Sequence, residues 1–176
     1  MDAPAVSFDQ MLAARDERLA RQAAALDRFG KAPVSMTVVM PGPVKDGLLP
    51  RRVLAVAIHE LDALAEIRRW PVLSREVWWL NTGPEAIYVI DADPLLLKAA
   101  TVELEDRHSL GRLWDLDVIA PGPRPISRKQ LGAAPRRCLV CDRPAPECAR
   151  SQRHPLEDLL NSVREIVHEY DHRTTA

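Results

Sequence analysis

At 176 residues the chain is long enough for one domain with a substantial core and short for two. Its net charge of −1, with 47% hydrophobic and 28% charged residues, is ordinary for a soluble globular protein and provides no global field for nucleic acid, so any affinity for anions must come from local groups of Arg and Lys. The first thirty residues mix acidic and basic side chains without an apolar run, and nowhere do about 20 apolar residues run together, so neither a secretory signal nor a membrane span is expected. Three cysteines, all between Cys138 and Cys148, suit a reducing cytoplasm better than a disulfide scaffold.

Ser7 followed by Gln10 has the spacing of a capping box and predicts a helix over about 7–29, with Phe8, Leu12, Leu19, Ala23 and Leu26 as one stripe and Gly30 as its end. Arg15, Asp16, Arg18 and Arg21 fall on the opposite faces. Pro33 to Met40 reads as a buried strand. It runs into a Pro-Gly-rich loop, 41–47, that can be neither helix nor ladder. A second helix is expected from about Arg51 to Arg69, then strands near Glu76–Leu80 and Ala86–Ile90 around the turn at Asn81–Pro84. Asp93-Pro94 has the form of a helix start, and the helix is placed to about Arg107, although residues 102–105 also alternate as a strand would. Trp114 to Ala120 reads as a strand, and Pro125 to Leu131 as its partner across the turn Pro121–Arg124. After a Cys- and Arg-rich loop over 135–154, a helix over about 155–170 carries the stripe Leu156, Leu159, Leu160, Val163, Ile166, Val167 and Tyr170. The expected architecture is a mixed α/β (α+β) single domain over 1–176, a mixed sheet flanked by helices.

Most pointed chemically is the stretch from Gly111 to Ile119. Side chains two apart on a strand share a face, so Trp114, Leu116 and Val118 turn to the core while Asp115 and Asp117 turn the other way, their Cα atoms about 6–7 Å apart. Two carboxylates so close repel unless a cation sits between or beside them, and Mg²⁺ takes hard oxygen ligands together with substrate phosphates. The wet face of an amphipathic strand is the plainer alternative. Gly111 is read as a point where backbone can approach a phosphate. Lys98, Thr101 and Glu105 share one helical face, where Glu105 is either a further oxygen ligand or an exposed helix residue. Lys45, in the Pro-Gly loop, and His108 are phosphate-contacting or proton-accepting candidates, or else surface residues. Arg112, Arg136 and Arg137 have the chemistry to balance phosphate charge or attract an acidic protein. Cys138, Cys141, Cys148 and His154 offer the four soft or borderline ligands of a structural zinc site, or three ordinary reduced thiols.

Taken together these segments resemble the apo-citrate lyase phosphoribosyl-dephospho-CoA transferase family, also called holo-citrate lyase acyl carrier protein synthases. The resemblance covers nearly the whole chain. It rests on Arg15 to Arg18 with Arg21-Gln22, Ser35 to Asp46, Thr101 to Glu105, His108 to Val118, Pro135 to Cys141, and Cys148 to Arg150 with His154. Leu19 departs from it, where Gln is common. It implies transfer of a phosphoribosyl-dephospho-CoA group from 2′-(5″-triphosphoribosyl)-3′-dephospho-CoA to a serine of the citrate lyase acyl carrier (γ) subunit, with release of diphosphate. Asp115 and Asp117 match the Asp-x-Asp pair of a related malonate decarboxylase transferase, which implies that they hold Mg²⁺, or Mn²⁺ in its place; the chemistry suggests a nucleotidyltransferase-like fold. The same transfer to a malonate decarboxylase carrier, and a non-catalytic zinc-stabilised module binding an acidic partner, are the alternatives.

Overall fold

In a computed structural model, which describes residues 4–122 and 124–174, five strands form one sheet in the order β2-β3-β1-β4-β5. In chain order the elements are α1 (Phe8–Phe29), β1 (Pro33–Val38), α2 (Leu48–Arg68), β2 (Val72–Leu80), β3 (Gly83–Ile90), α3 (Pro94–Arg107), β4 (Trp114–Ala120), β5 (Arg124–Pro125), α4 (Ala145–Arg150) and α5 (Leu156–Thr174). The expected α+β class is what forms, but every strand pairing among the described residues is antiparallel, where a mixed sheet was anticipated.

Local chemistry sets the element ends. Ser7 Oγ accepts from the Gln10 N–H at 3.2 Å and Gln10 Oε1 accepts from the Ser7 N–H at 2.8 Å, so both orphan donors of the first turn are met. Gly30 closes α1 in the left-handed region, at φ 62°. The Asp93 carboxylate caps α3 by accepting from the N–H groups of Leu95 and Leu96, and residues 102–105 are helical. Four expectations shift. α2 starts at Leu48, with Pro50 in its first turn where no N–H is needed, and β2 begins at Val72. The strand expected over 125–131 shrinks to two residues, because Ser127 and Gln130 form a second capping box that starts a 3₁₀ turn, Arg128–Leu131, ended by Gly132 at φ 68°. α4 interrupts what was read as loop. Pro123, in the turn expected over Pro121–Arg124, lies outside the described residues.

The two faces of the sheet have different partners. Val34 and Met36 of β1, Ala86 and Tyr88 of β3, and Trp114, Leu116 and Val118 of β4 are buried on one face against Val53, Leu54, Ala57 and Leu61 of α2. The Trp114 indole N–H donates to the Val53 carbonyl at 3.1 Å, which satisfies its one polar atom in the core. On the other face, α1 lies over β1 and β3; Gln22 donates to Ser35 Oγ at 2.8 Å beneath it. α3 runs beside β4, and among the described residues β5 pairs only with Ile119 and Ala120, so no described strand lies on the outer side of the first half of β4.

Candidate active site

Antiparallel register puts directly opposed residues on one face. Thr37 of β1 is opposite Glu85 on one side and Asp115 on the other; Ser35 is opposite Ile87 and Asp117. The face under α1 therefore carries a row Glu85–Thr37–Asp115, its two carboxylates separated by two strand spacings, roughly 10 Å. α1 covers the Glu85 end through Arg18 and Arg21. Asp115 and Asp117 remain accessible, their side chains 46% and 41% exposed.

Each aspartate touches a cation through one oxygen: Asp115 meets Arg136 at 3.2 Å and Asp117 meets Lys98 at 3.7 Å. Partial burial, and Asp115 beside it, push the Asp117 carboxyl above the usual carboxylate range despite Lys98. A pair of accessible carboxylates with oxygens to spare and an electrostatic deficit fits a hard divalent cation.

Lys98 and Glu105 are buried, so the alternative of an exposed helix face is corrected. Lys98 Nζ donates to the Leu116 carbonyl at 2.9 Å and Glu105 accepts from the Leu116 N–H at 2.8 Å. Two side chains one α3 face apart thus take the place of the missing neighbour strand. Glu105 also holds Arg128 at 2.6 Å and Arg136 at 3.2 Å, so both of its oxygens are occupied. Gly111 is needed for packing: a Cβ there would stand 2.3 Å from the Glu105 carbonyl oxygen, so the close approach is to the end of α3 and not to a phosphate.

Arg112, Arg136 and Arg137 line a cavity of about 600 Å³ whose remaining wall is mainly apolar, with Met40, Leu139 and Leu156. Arg112 donates to the Arg137 carbonyl. A second cleft, about 280 Å³, lies on the other side of Val39 and Met40 and is lined by Arg18, Thr37, Lys45 and Glu85. Here Arg18 and Arg21 hold Glu85 at 2.7 and 2.6 Å, and Arg21 also stacks over Trp78. Lys45 Nζ donates to the Met40 carbonyl at 2.6 Å, and its burial lowers its pKa. Arg21 also meets Glu17 at 3.6 Å, so these three cations stand against two carboxylates.

His108 is not brought to this face. It stacks on Trp114 at 4.4 Å, lies 5.6 Å from Tyr170, and accepts from the Leu110 N–H through Nδ1. Cys138, Cys141, Cys148 and His154 do converge: their ligand atoms lie within 4.8 Å of one another, a cluster that can bind a metal such as zinc. Burial and the two neighbouring thiols push the Cys148 thiol up to about 11, a deficit that a bound cation reverses. Sequence reasoning named Arg18 and Arg21 only among the residues that carry the resemblance, and missed Glu85 and its pairing with them. Periodicity puts both arginines on a solvated face, and nothing local signals a partner more than 60 residues away.

Among the described residues no helix is long and apolar enough to cross a membrane. The sequence profile of the family described as "Apo-citrate lyase phosphoribosyl-dephospho-CoA transferase" matches residues 6–170. Curated proteins of that description are similar over 167 residues, 95% of this chain and 91% of theirs: one from Citrobacter koseri at 44% identity, one from Escherichia coli O7:K1 at 43% and one from Shigella boydii serotype 18 at 42%. A match of this extent leaves no room for the non-catalytic module: the chain is a transferase, and it belongs to the apo-citrate lyase phosphoribosyl-dephospho-CoA transferase family.

Proposed function

We propose that the chain transfers the phosphoribosyl-dephospho-CoA group from 2′-(5″-triphosphoribosyl)-3′-dephospho-CoA to a serine of the citrate lyase acyl carrier (γ) subunit, in the reducing cytoplasm. The observation that carries this reading is the side-by-side projection of Asp115 and Asp117 from the open half of β4, opposite Thr37 and Ser35 of β1 and, through Arg136, beside an arginine-lined cavity. In the reaction the serine oxygen forms a bond to the α-phosphorus, the bond from that phosphorus to the bridging oxygen breaks, and diphosphate leaves. Asp115 and Asp117 hold Mg²⁺, or Mn²⁺ in its place, which supplies charge neutralisation on the phosphates. One of the two also takes the serine proton, the role for which a raised carboxyl pKa is suited.

Arg18 and Lys45, across Thr37 from the aspartates, receive the departing phosphates, while Arg112, Arg136 and Arg137 hold the rest of the donor in the larger cavity. Glu105 supports this arrangement by fixing Leu116, Arg128 and Arg136, and is not counted among the ligands. His108 supports Trp114 from the far face. A structural Zn²⁺ at Cys138, Cys141, Cys148 and His154 completes the set of ions, and the basic surface around the cysteine loop receives the acidic carrier.

Asp115→Asn and Asp117→Asn test the reading. Each should reduce Mg²⁺-dependent diphosphate release by at least 1,000-fold, about 4 kcal/mol of barrier, with circular dichroism unchanged. Near-parental release in either variant refutes the metal role. A panel that includes the malonate decarboxylase carrier decides the acceptor.

A further inference from the structure

We infer that one Zn²⁺ bound by Cys138, Cys141, Cys148 and His154 holds the cavity wall that carries Arg136 against Asp115. Only the consequence for catalysis rests on the reading of the cavity given above; the zinc site stands on its own geometry.

The segment from Pro135 to His154 has almost no apolar core: its buried residues are Cys138 and Cys148. Chain with so little buried surface keeps one conformation through a staple. Its backbone forms a short hairpin, in which the Cys138 N–H donates to the Arg143 carbonyl and the Ala145 N–H to the Arg136 carbonyl, both at 2.7 Å, with Arg137 bridged to Pro144. This puts Cys138 and Cys141 on one tight turn. α4 supplies Cys148, and the Arg153 N–H closes back on the Cys148 carbonyl at 3.1 Å, which returns His154 to the cluster.

The four ligand atoms, all within 4.8 Å of one another, are close enough to share one ion. With Zn–S near 2.3 Å, sulfurs at two corners of a tetrahedron stand about 3.8 Å apart. Cys141 Sγ and Cys148 Sγ are 3.6 Å apart, far beyond the roughly 2.05 Å of a disulfide. His154 Nε2 is buried without a hydrogen-bond partner, the position a ligand nitrogen takes. Three thiols with free Sγ atoms and one orphaned imidazole nitrogen match a Cys₃His donor set.

The cluster is also part of the cavity. Cys138, Cys148 and His154 line it together with Arg112, Arg136 and Arg137. Arg136 is two residues from Cys138 and reaches both Asp115 and Glu105 at 3.2 Å, so the ion that fixes Cys138 fixes the arginine.

The test starts with elemental analysis of the untagged protein, where one zinc per chain is expected. Trypsin then reports on the wall. With zinc bound, Arg150 and Arg153 should resist cleavage; after a zinc-selective chelator in excess Mg²⁺ they should be cut at least tenfold faster, and zinc should restore protection. Co²⁺ added to the metal-free chain should give visible thiolate and tetrahedral bands, weakened in Cys141→Ser and His154→Asn. Because these variants can fail to fold, the chelation and cobalt arms on the parent chain decide. Absence of stoichiometric zinc after growth with added zinc, or of cobalt bands, overturns the site. Cleavage or transfer that ignores the chelator overturns its hold on the wall. Zinc with full protection but no transfer to any carrier leaves the site standing and counts against the proposed function.

Discussion

Replacing Glu105 with alanine removes the acceptor of the Leu116 N–H and the shared partner of Arg128 and Arg136. The orphaned N–H costs about 1–3 kcal/mol. Breaking a buried ion pair costs about 3–5 kcal/mol, but Arg128 keeps Asp106 at 2.8 Å and Arg136 keeps Asp115 at 3.2 Å, so the lower part of that range applies. Together the loss should be at least about 4 kcal/mol. At 2–4 °C per kcal/mol for a chain of this size, the melting temperature should fall by roughly 8–16 °C. Glu105→Gln retains an acceptor for Leu116 and should lose about half as much. Urea unfolding of the parent and both variants, without Mg²⁺ and with zinc held constant, measures this at equal m-values. A loss below about 1 kcal/mol in the alanine variant refutes the edge-capping role. Unchanged stability combined with lost Mg²⁺ binding would instead make Glu105 a ligand.

Gly111→Ala forces the Glu105 carbonyl aside and should cost about 1–3 kcal/mol, read as a lower urea midpoint; an unchanged midpoint means that the α3–β4 junction is slack. Burial lowers the pKa of His108, so its neutral form is favoured in the fold. Its contribution is therefore complete above the unfolded value of about 6.5 and declines as pH falls toward and through the lowered folded pKa. Parent stability should fall across that window more steeply than that of His108→Asn; parallel curves contradict the burial argument. Arg18→Ala should raise the KM for the donor about tenfold, near 1.4 kcal/mol, and change the KM for the carrier little. An effect confined to the carrier would move the phosphate cleft elsewhere.

Where information is local, the chain announces itself. Ser7 with Gln10, Asp93-Pro94 and the alternation from Trp114 to Val118 give helix starts and a strand whose faces the structure repeats. The cysteine spacing likewise anticipates the convergence of four ligand atoms. The capping box at Ser127 and Gln130 is equally local, yet the segment reads as a strand paired with β4 across the Pro121–Arg124 turn. Long-range pairing was not legible. Lys98 and Glu105 carry charges typical of a solvated helix, and only the missing neighbour of β4 explains their burial. Arg18 and Arg21 look solvated for the same reason, because Glu85 is brought beneath them by sheet register. His108 shows the reverse: a loop histidine that invites a chemical role spends its ring on Trp114.

The most direct test of the account is the intact mass of the citrate lyase acyl carrier subunit after incubation with this chain, the triphosphoribosyl donor and Mg²⁺. A single addition of the phosphoribosyl-dephospho-CoA group to one serine is expected, with none when Asp115→Asn replaces the parent enzyme. An unmodified carrier with the folded, metal-replete parent, or full modification by the variant, would contradict the claim that Asp115 and Asp117 carry the transfer.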